Sequence, residues 1–477
     1  MKENHFKSGI TFYILTILIL VNPFNTFAQL NRKKLTGSWL GNIEAGAINL
    51  RIVFNITLTE SDSLTATLDS PDQGAKNIPL GKVTTISDTI KIEAPLINGR
   101  YTGRITSDTT ITGVWTQSGQ SFPVNLRKLP AGFSLIRPQE PRPPFPYRTE
   151  EVTIPNMKFN IYLSGTLTIP EKGGPFPAAV LISGSGPQNR DETIMGHKPF
   201  LVLADYLTRN GIAVLRYDDR GVGKSQGVYA EATTADLATD AEAALEFLKK
   251  HENIDTSAIG LIGHSEGGLI ACITAATNKD VAFIVSLAGP GVKGEEILFR
   301  QQADIARLSG LKEDIIKQNN EINRKLYNIV KKEKDDFAAE EKVMATYAKI
   351  LRKQKKSPQE INDMVIQLRN SFGAATYPWF RYFLTTNPAQ FWVKIKCPVL
   401  ALNGEKDTQI AAEINLPAIE NALRSGGNTN VKTVKMPELN HLFQHCKTGL
   451  PAEYGKIEET MSPEVLEIIA SWIKSLK

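Results

Sequence analysis

Between Leu35 and Leu129 apolar and polar residues alternate in short runs broken by Gly, Asp, Asn and Ser. Runs such as Asn49–Thr59, Lys82–Ile86, Thr89–Ile92, Gly99–Ile105 and Thr110–Thr116 have the two-residue period of half-buried strands. They predict a small all-β domain over residues 30–130, a sandwich or barrel. Beyond Glu151 the pattern changes. Nearly all-apolar stretches appear at Ile161–Ile169, Ala178–Ser183, Ile212–Tyr217, Ala258–Gly263, Val281–Ala288, Pro398–Asn403 and Val431–Met436. Helical periodicity falls between several of them, at Pro199–Arg209, Ala235–Lys250 and Gly267–Thr277. Strands apolar on both faces and alternating with helices predict a mostly parallel sheet covered on both sides, an α/β fold over residues 151–477.

Three segments stand outside these two patterns. Residues 137–147 (RPQEPRPPFPY) hold five prolines in eleven positions, so 131–150 is read as an extended, semi-rigid linker. Residues 295–390 interrupt the strand–helix rhythm with charged helical sequence that ends in the aromatic cluster Tyr377, Trp379, Phe380, Tyr382 and Phe383. An insertion of that length between core strands is expected to form a helical cap over the site. At the N-terminus, Lys2 and Lys7 precede an apolar run from Ile10 to Val21, and small residues follow at Thr26 and Ala28. About a dozen apolar residues are too few to span a bilayer, which takes roughly 20. Residues 1–28 therefore read as a cleavable signal peptide, with export to the periplasm or beyond and no stable membrane span afterwards.

Composition changes this picture little. The formal charge of +5 on 477 residues is dispersed, without the concentrated basic face of a nucleic-acid binder. Three cysteines, Cys272, Cys397 and Cys446, are too few and too scattered for a zinc site. Gly221–Ser225 ends in GKS but lacks the glycine spacing of a phosphate-binding loop, so no nucleotide is implied. No cofactor or metal is expected.

The chemistry concentrates in Ala258–Gly268 (AIGLIGHSEGG), where an apolar strand runs into Gly263-His264-Ser265-Glu266-Gly267 and a helix follows. A strand–G-x-S-x-G–helix arrangement strains the serine and exposes its hydroxyl, which makes Ser265 the candidate nucleophile. A serine hydroxyl needs a base. Of six histidines, His441 follows the strand Val431–Met436 after a short loop and is the candidate, with His445 in reserve; His264 reads as packing. The base needs an acid, and Asp407, just after the strand Pro398–Asn403, has that place in preference to Glu405. The oxyanion needs two main-chain donors: the N–H of Glu266, and one from the loop Ser183–Pro187, assigned to Ser185. Asp218, Asp219 and Arg220 read as an ion-paired loop rather than a substrate site.

GSGPQNRD (Gly184–Asp191), RYDDRGVGKS (Arg216–Ser225), GHSEGG (Gly263–Gly268), NGEKD (Asn403–Asp407) and Asn440-His441 resemble bacterial exported α/β-hydrolase esterases, of the group described as dienelactone-hydrolase-like or acylaminoacyl-peptidase-like. The resemblance covers about residues 150–477, and implies ester hydrolysis with a Ser265–Asp407–His441 triad. Dienelactone hydrolases proper use a cysteine nucleophile, so Ser265 argues against that activity itself. The expected partner is a small-molecule ester. A peptidase or amidase remains the alternative with the same residues, although residues 30–130 are too short for the propeller of prolyl-oligopeptidase relatives. A reading from another class is an envelope-binding protein with a degenerate hydrolase core.

Overall fold

The structure is a computed structural model that describes residues 32–476 apart from 46–47, 72–74, 118, 131–136 and 373–377. The leader expected over residues 1–28 lies outside the described residues, as does Tyr377 of the aromatic cluster.

Nine antiparallel strands form a first sheet among the described residues: β1 (Gly37–Ala45), β2 (Ile48–Leu58), β3 (Leu64–Ser70), β4 (Ala75–Pro79), β5 (Val83–Ile86), β6 (Thr89–Ala94), β7 (Gly99–Ser107), β8 (Thr110–Gln117) and β9 (Gln120–Lys128). Their order is β4-β3-β2-β1-β9-β8-β7-β6-β5. β4 and β5 lie at opposite ends of that order, yet only residues 80–82 join them in the chain. So short a link reaches at most roughly 14 Å, so the sheet must curl until its ends approach. Leu80 N–H on the β3 carbonyl of Ala66 and Gly81 N–H on the β6 carbonyl of Glu93 hold it there. The result is a small barrel packed on Trp39, Phe54, Tyr101 and Trp115.

The second sheet is built from β10 (Tyr147–Asn156), β11 (Ile161–Pro170), β12 (Phe176–Ile182), β13 (Ala213–Tyr217), β14 (Ile254–His264), β15 (Phe283–Leu287), β16 (Val399–Gly404) and β17 (Val431–Met436). In the order β10-β11-β13-β12-β14-β15-β16-β17, β11 runs antiparallel to both its neighbours, β10 and β13, and the strands from β13 to β17 pair in parallel. Strands β12, β13, β15 and β16 are buried along their whole length. Helices α1 (Pro199–Arg209), α2 (Thr234–Leu248) and α3 (Glu266–Thr277) lie against the sheet.

Between β15 and β16 the chain leaves the sheet for α4 (Gly294–Leu308), α5 (Glu313–Lys332), α6 (Asp336–Lys353), α7 (Pro358–Phe372) and α8 (Pro378–Thr385). These helices share a core of their own, with Leu326, Tyr327, Val330, Val343, Met344, Phe380 and Leu384 at its centre. The charged run within them is ion-paired: Lys331 with Glu295 in a partly buried pair, and Lys342 with Glu333 at the surface.

Two features differ from the sequence reading. Strand β10 starts at Tyr147, inside the interval 131–150 read as linker. Only three of its ten residues are buried, so its apolar signal is weak. The proline-rich stretch is also no free spacer. Arg137 is buried and donates to the carbonyls of Ile457 and Gly455, while Gln139 donates to Met461 O and accepts Thr460 N–H. Prolines give up main-chain donors, but the charged and amide side chains between them tie the segment down.

Candidate active site

Each candidate residue stands just beyond the C-terminal end of a parallel strand: Ser185 after β12, Ser265 after β14, Asp407 after β16 and His441 after β17. Parallel strands bring those ends to one edge of the sheet, where such folds form their sites.

The turn at Ser265 is as tight as the motif demands. Ser265 has φ 53° and ψ −122°, a backbone state costing about 1–3 kcal/mol for a non-glycine residue. Its N–H donates to Leu287 O on the neighbouring strand at 2.7 Å. A Cβ on Gly263 would lie 2.0 Å from Gly267 O, and one on Gly267 would lie 2.1 Å from Ile182 O. Glycine is required at both positions because strand and helix meet backbone to backbone. Strand, strained serine and helix N-terminus thus have the strand–turn–helix geometry of a nucleophile elbow.

The fold is that of an α/β-hydrolase.

His441 Nδ1 lies 2.7 Å from Asp407 Oδ2, and both side chains are buried. Asp407 is itself held on all sides. Its Oδ1 accepts the main-chain N–H groups of Gln409 (2.8 Å) and Ile410 (2.9 Å), and its Oδ2 also accepts Asn403 Nδ2–H (3.0 Å). Every other partner of the carboxylate is an N–H donor, so it faces His441 as an acceptor. His441 therefore donates through Nδ1, and Nε2 is the nitrogen available to take a proton. Among the described residues no hydrogen bond joins Ser265 Oγ to His441; such contacts commonly tighten only with substrate bound. The reserve histidine is elsewhere: His445 is exposed and pairs with Glu459. Glu405 faces solvent near Lys435.

In the loop after β12, Gly184 N–H donates to Glu192 Oε1 at 2.7 Å and Gly186 N–H to Tyr229 Oη at 2.9 Å. Ser185 N–H, between them, holds no hydrogen bond among the described residues. The N–H of Glu266 opens helix α3, where the first amides have no partner within the helix and the dipole favours negative charge. The loop lies close: a Cβ on Gly184 would be 3.1 Å from Ser265 Cβ.

Three acidic side chains that the motif did not predict fix this loop. Asp219 accepts Ser183 Oγ–H and Gln188 N–H, both at 2.9 Å, and burial pushes its carboxyl up to about 8. Glu266, also buried, accepts Ser185 Oγ–H on Oε2 and both Thr234 Oγ1–H and Trp379 Nε1–H on Oε1, each at 2.7 Å. Burial raises its carboxyl above the usual range, and the three neutral donors offset part of that. Glu192 is the third. The neighbouring charges have separate partners: Asp218 pairs with Arg190, and Arg220 with buried Asp240, which makes the latter an ion pair of the loop.

Trp379, on α8, thus brings the helical insertion to Glu266, next to Ser265 in the chain, and it stacks on Phe383 at 5.7 Å. Phe380 instead packs inside the insertion's own core. Trimming Trp379 to alanine is expected to open the roof of the site. The ratio of kcat/KM for p-nitrophenyl octanoate over acetate should rise about threefold or more, whereas an unchanged ratio would place Trp379 away from the acyl chain.

Residues 198–364 match the family described as Hydrolase_4, serine aminopeptidase S33. The chain is 28% identical to the esterase EstD of Thermotoga maritima over 316 residues, 65% of each chain. It is 32% identical to the thiohydrolase aneE of Aspergillus aculeatus over 143 residues, 29% of this chain and 42% of that one. The chain thus spans less than two thirds of the length of either relative. The solved Pyrococcus furiosus esterase Pf2001 aligns with 69% of this chain and 93% of its own, at 17% identity and a TM-score of 0.41.

Proposed function

We propose that the chain is a serine hydrolase that cleaves small carboxylic esters through an acyl-enzyme on Ser265. The observation that carries the reading is a strained serine at a helix N-terminus on the same sheet edge as a buried His441–Asp407 pair. Ser265 Oγ attacks the ester carbonyl while His441 Nε2 takes its proton. Asp407 holds the ring through Nδ1–H and stabilises the imidazolium. The amides of Ser185 and Glu266 donate to the oxyanion as the tetrahedral intermediate forms. His441 then returns the proton to the departing alcohol, and a water activated in the same way releases the acid.

Similarity to EstD, an esterase by name, supports ester hydrolysis. One observation favours a second reading: the matched family is described as a serine aminopeptidase, so amide cleavage by the same residues is the alternative. Side-by-side turnover of p-nitrophenyl acetate, p-nitrophenyl butyrate and aminoacyl p-nitroanilides decides between them. Ester turnover in excess supports the proposal, and anilide turnover alone would replace it. The binding-protein reading requires a defective catalytic centre, and the arrangement of Ser265, His441 and Asp407 gives it no support.

A further inference from the structure

Behind the nucleophile lies a second buried carboxylate–imidazole pair. Glu192 is 1% exposed and His264 4%. Glu192 Oε1 lies 2.8 Å from His264 Nδ1 and also accepts Gly184 N–H. The other ring nitrogen, His264 Nε2, lies 3.0 Å from the main-chain oxygen of His441. A carboxylate oxygen and a carbonyl oxygen are both acceptors, and a neutral imidazole carries one N–H. The pair must therefore hold one proton more than a neutral ring beside an ionised carboxylate. The simplest form is an imidazolium donating on both sides.

The two neighbouring imidazoles, with ring centroids 4.7 Å apart, are thus set for different work. His441 donates through Nδ1 and keeps Nε2 for the reaction, whereas His264 has both nitrogens committed and cannot act as a base. Its position joins three parts of the site. Glu192 grips the loop that carries Ser185, His264 directly precedes Ser265, and the His441 carbonyl belongs to the loop that carries the base. Phe200, Leu287, Leu442, Phe443 and Met461 wall the pair. Burial alone would push the His264 ring down, but the Glu192 carboxylate outweighs it and raises the ring above the usual histidine value. The charged or titratable groups facing the ring are Glu192, His441 and, beyond His441, Asp407.

We propose that Glu192 and His264 are positioning residues for the acyl transfer, a proton-holding pair that fixes the oxyanion loop relative to His441. The proposal rests on the Ser265 hydrolase reading.

The test compares E192Q, E192A and H264Q in the full chain with p-nitrophenyl butyrate, counting sites by titration with an organophosphate so that misfolded protein is excluded. Turnover per titrated site should fall about tenfold or more in E192A and H264Q, with KM within about threefold of wild type. E192Q should retain more than E192A, because its carbonyl oxygen still accepts Gly184 N–H. H264Q should also move the acid limb of kcat/KM to higher pH by about half a unit or more, since losing a cation beside His441 makes its protonation easier. A role in stability alone would lower the number of titratable sites and leave both turnover per site and the acid limb in place, and that result overturns the proposal. Failure of the reagent to modify Ser265 in the wild type would remove the hydrolase reading itself, and the proposal with it.

Discussion

Replacing Ser265 by alanine is expected to lower turnover of p-nitrophenyl acetate by roughly 10⁴-fold or more, with KM changing little. The size follows from the site's construction. The Glu266 and Ser185 amides and the His441–Asp407 pair stay in place without the hydroxyl, so the substrate still binds and its carbonyl is still polarised. What disappears is the covalent route, and with it the use of His441 as a base. The fold should survive, because the conformation at position 265 is imposed by Gly263, Gly267 and the bond from its N–H to Leu287 O, none of which involves the hydroxyl. A melting temperature within a few degrees of wild type, alongside lost turnover, is the expected pair of results. Activity retained in the variant would require another nucleophile.

The second large effect is expected at Asp407. Both oxygens of its carboxylate accept, from two main-chain amides, from Asn403 and from His441. Asp407→Asn keeps the shape but must aim an NH₂ group at donors, whichever way the amide turns. If it faces His441, the ring turns to the wrong tautomer, with its proton on Nε2 towards the serine. Turnover should fall by roughly 10³–10⁴-fold. If it faces the amides of Gln409 and Ile410, two main-chain donors lose their acceptor, and the buried one, Ile410 N–H, costs about 1–3 kcal/mol when left unpaired. Reduced turnover per site together with a lowered melting temperature is therefore expected. Turnover within about threefold of wild type would show that His441 does not depend on this carboxylate.

How much of this was legible in the sequence follows from the physics of each element. Fully apolar runs reveal the buried strands of the sheet interior, the alternation in VKTVKM marks the mostly unburied β17, and Pro199–Arg209 coincides with α1. Strand β10 was hidden because it lies at the sheet edge, carries charged residues on its open face and follows the prolines. The elbow could be read because its chemistry depends on glycines at fixed spacing along the chain. Glu192, Asp219 and the side chain of Glu266 carry no such mark. Their roles arise only when loops distant in sequence meet: 31 and 36 residues apart where Asp219 reaches Gln188 and Ser183, 72 where Glu192 reaches His264, and 113 where Trp379 reaches Glu266. A carboxylate buried by folding looks in the sequence like any surface acid. His264 shows the same limit: its two acceptors come from separate loops, so a residue read as packing proves to be hydrogen-bonded at both nitrogens.

Covalent labelling shows whether Ser265 is the nucleophile. The protein would be treated with diethyl p-nitrophenyl phosphate, and the mass of the intact chain and of its peptides measured as ester turnover declines. One diethylphosphoryl group per chain is expected, on the peptide containing Ser265, appearing in proportion to the activity lost. Inactivation with Ser265 unmodified, or full activity with Ser265 modified, would contradict that role.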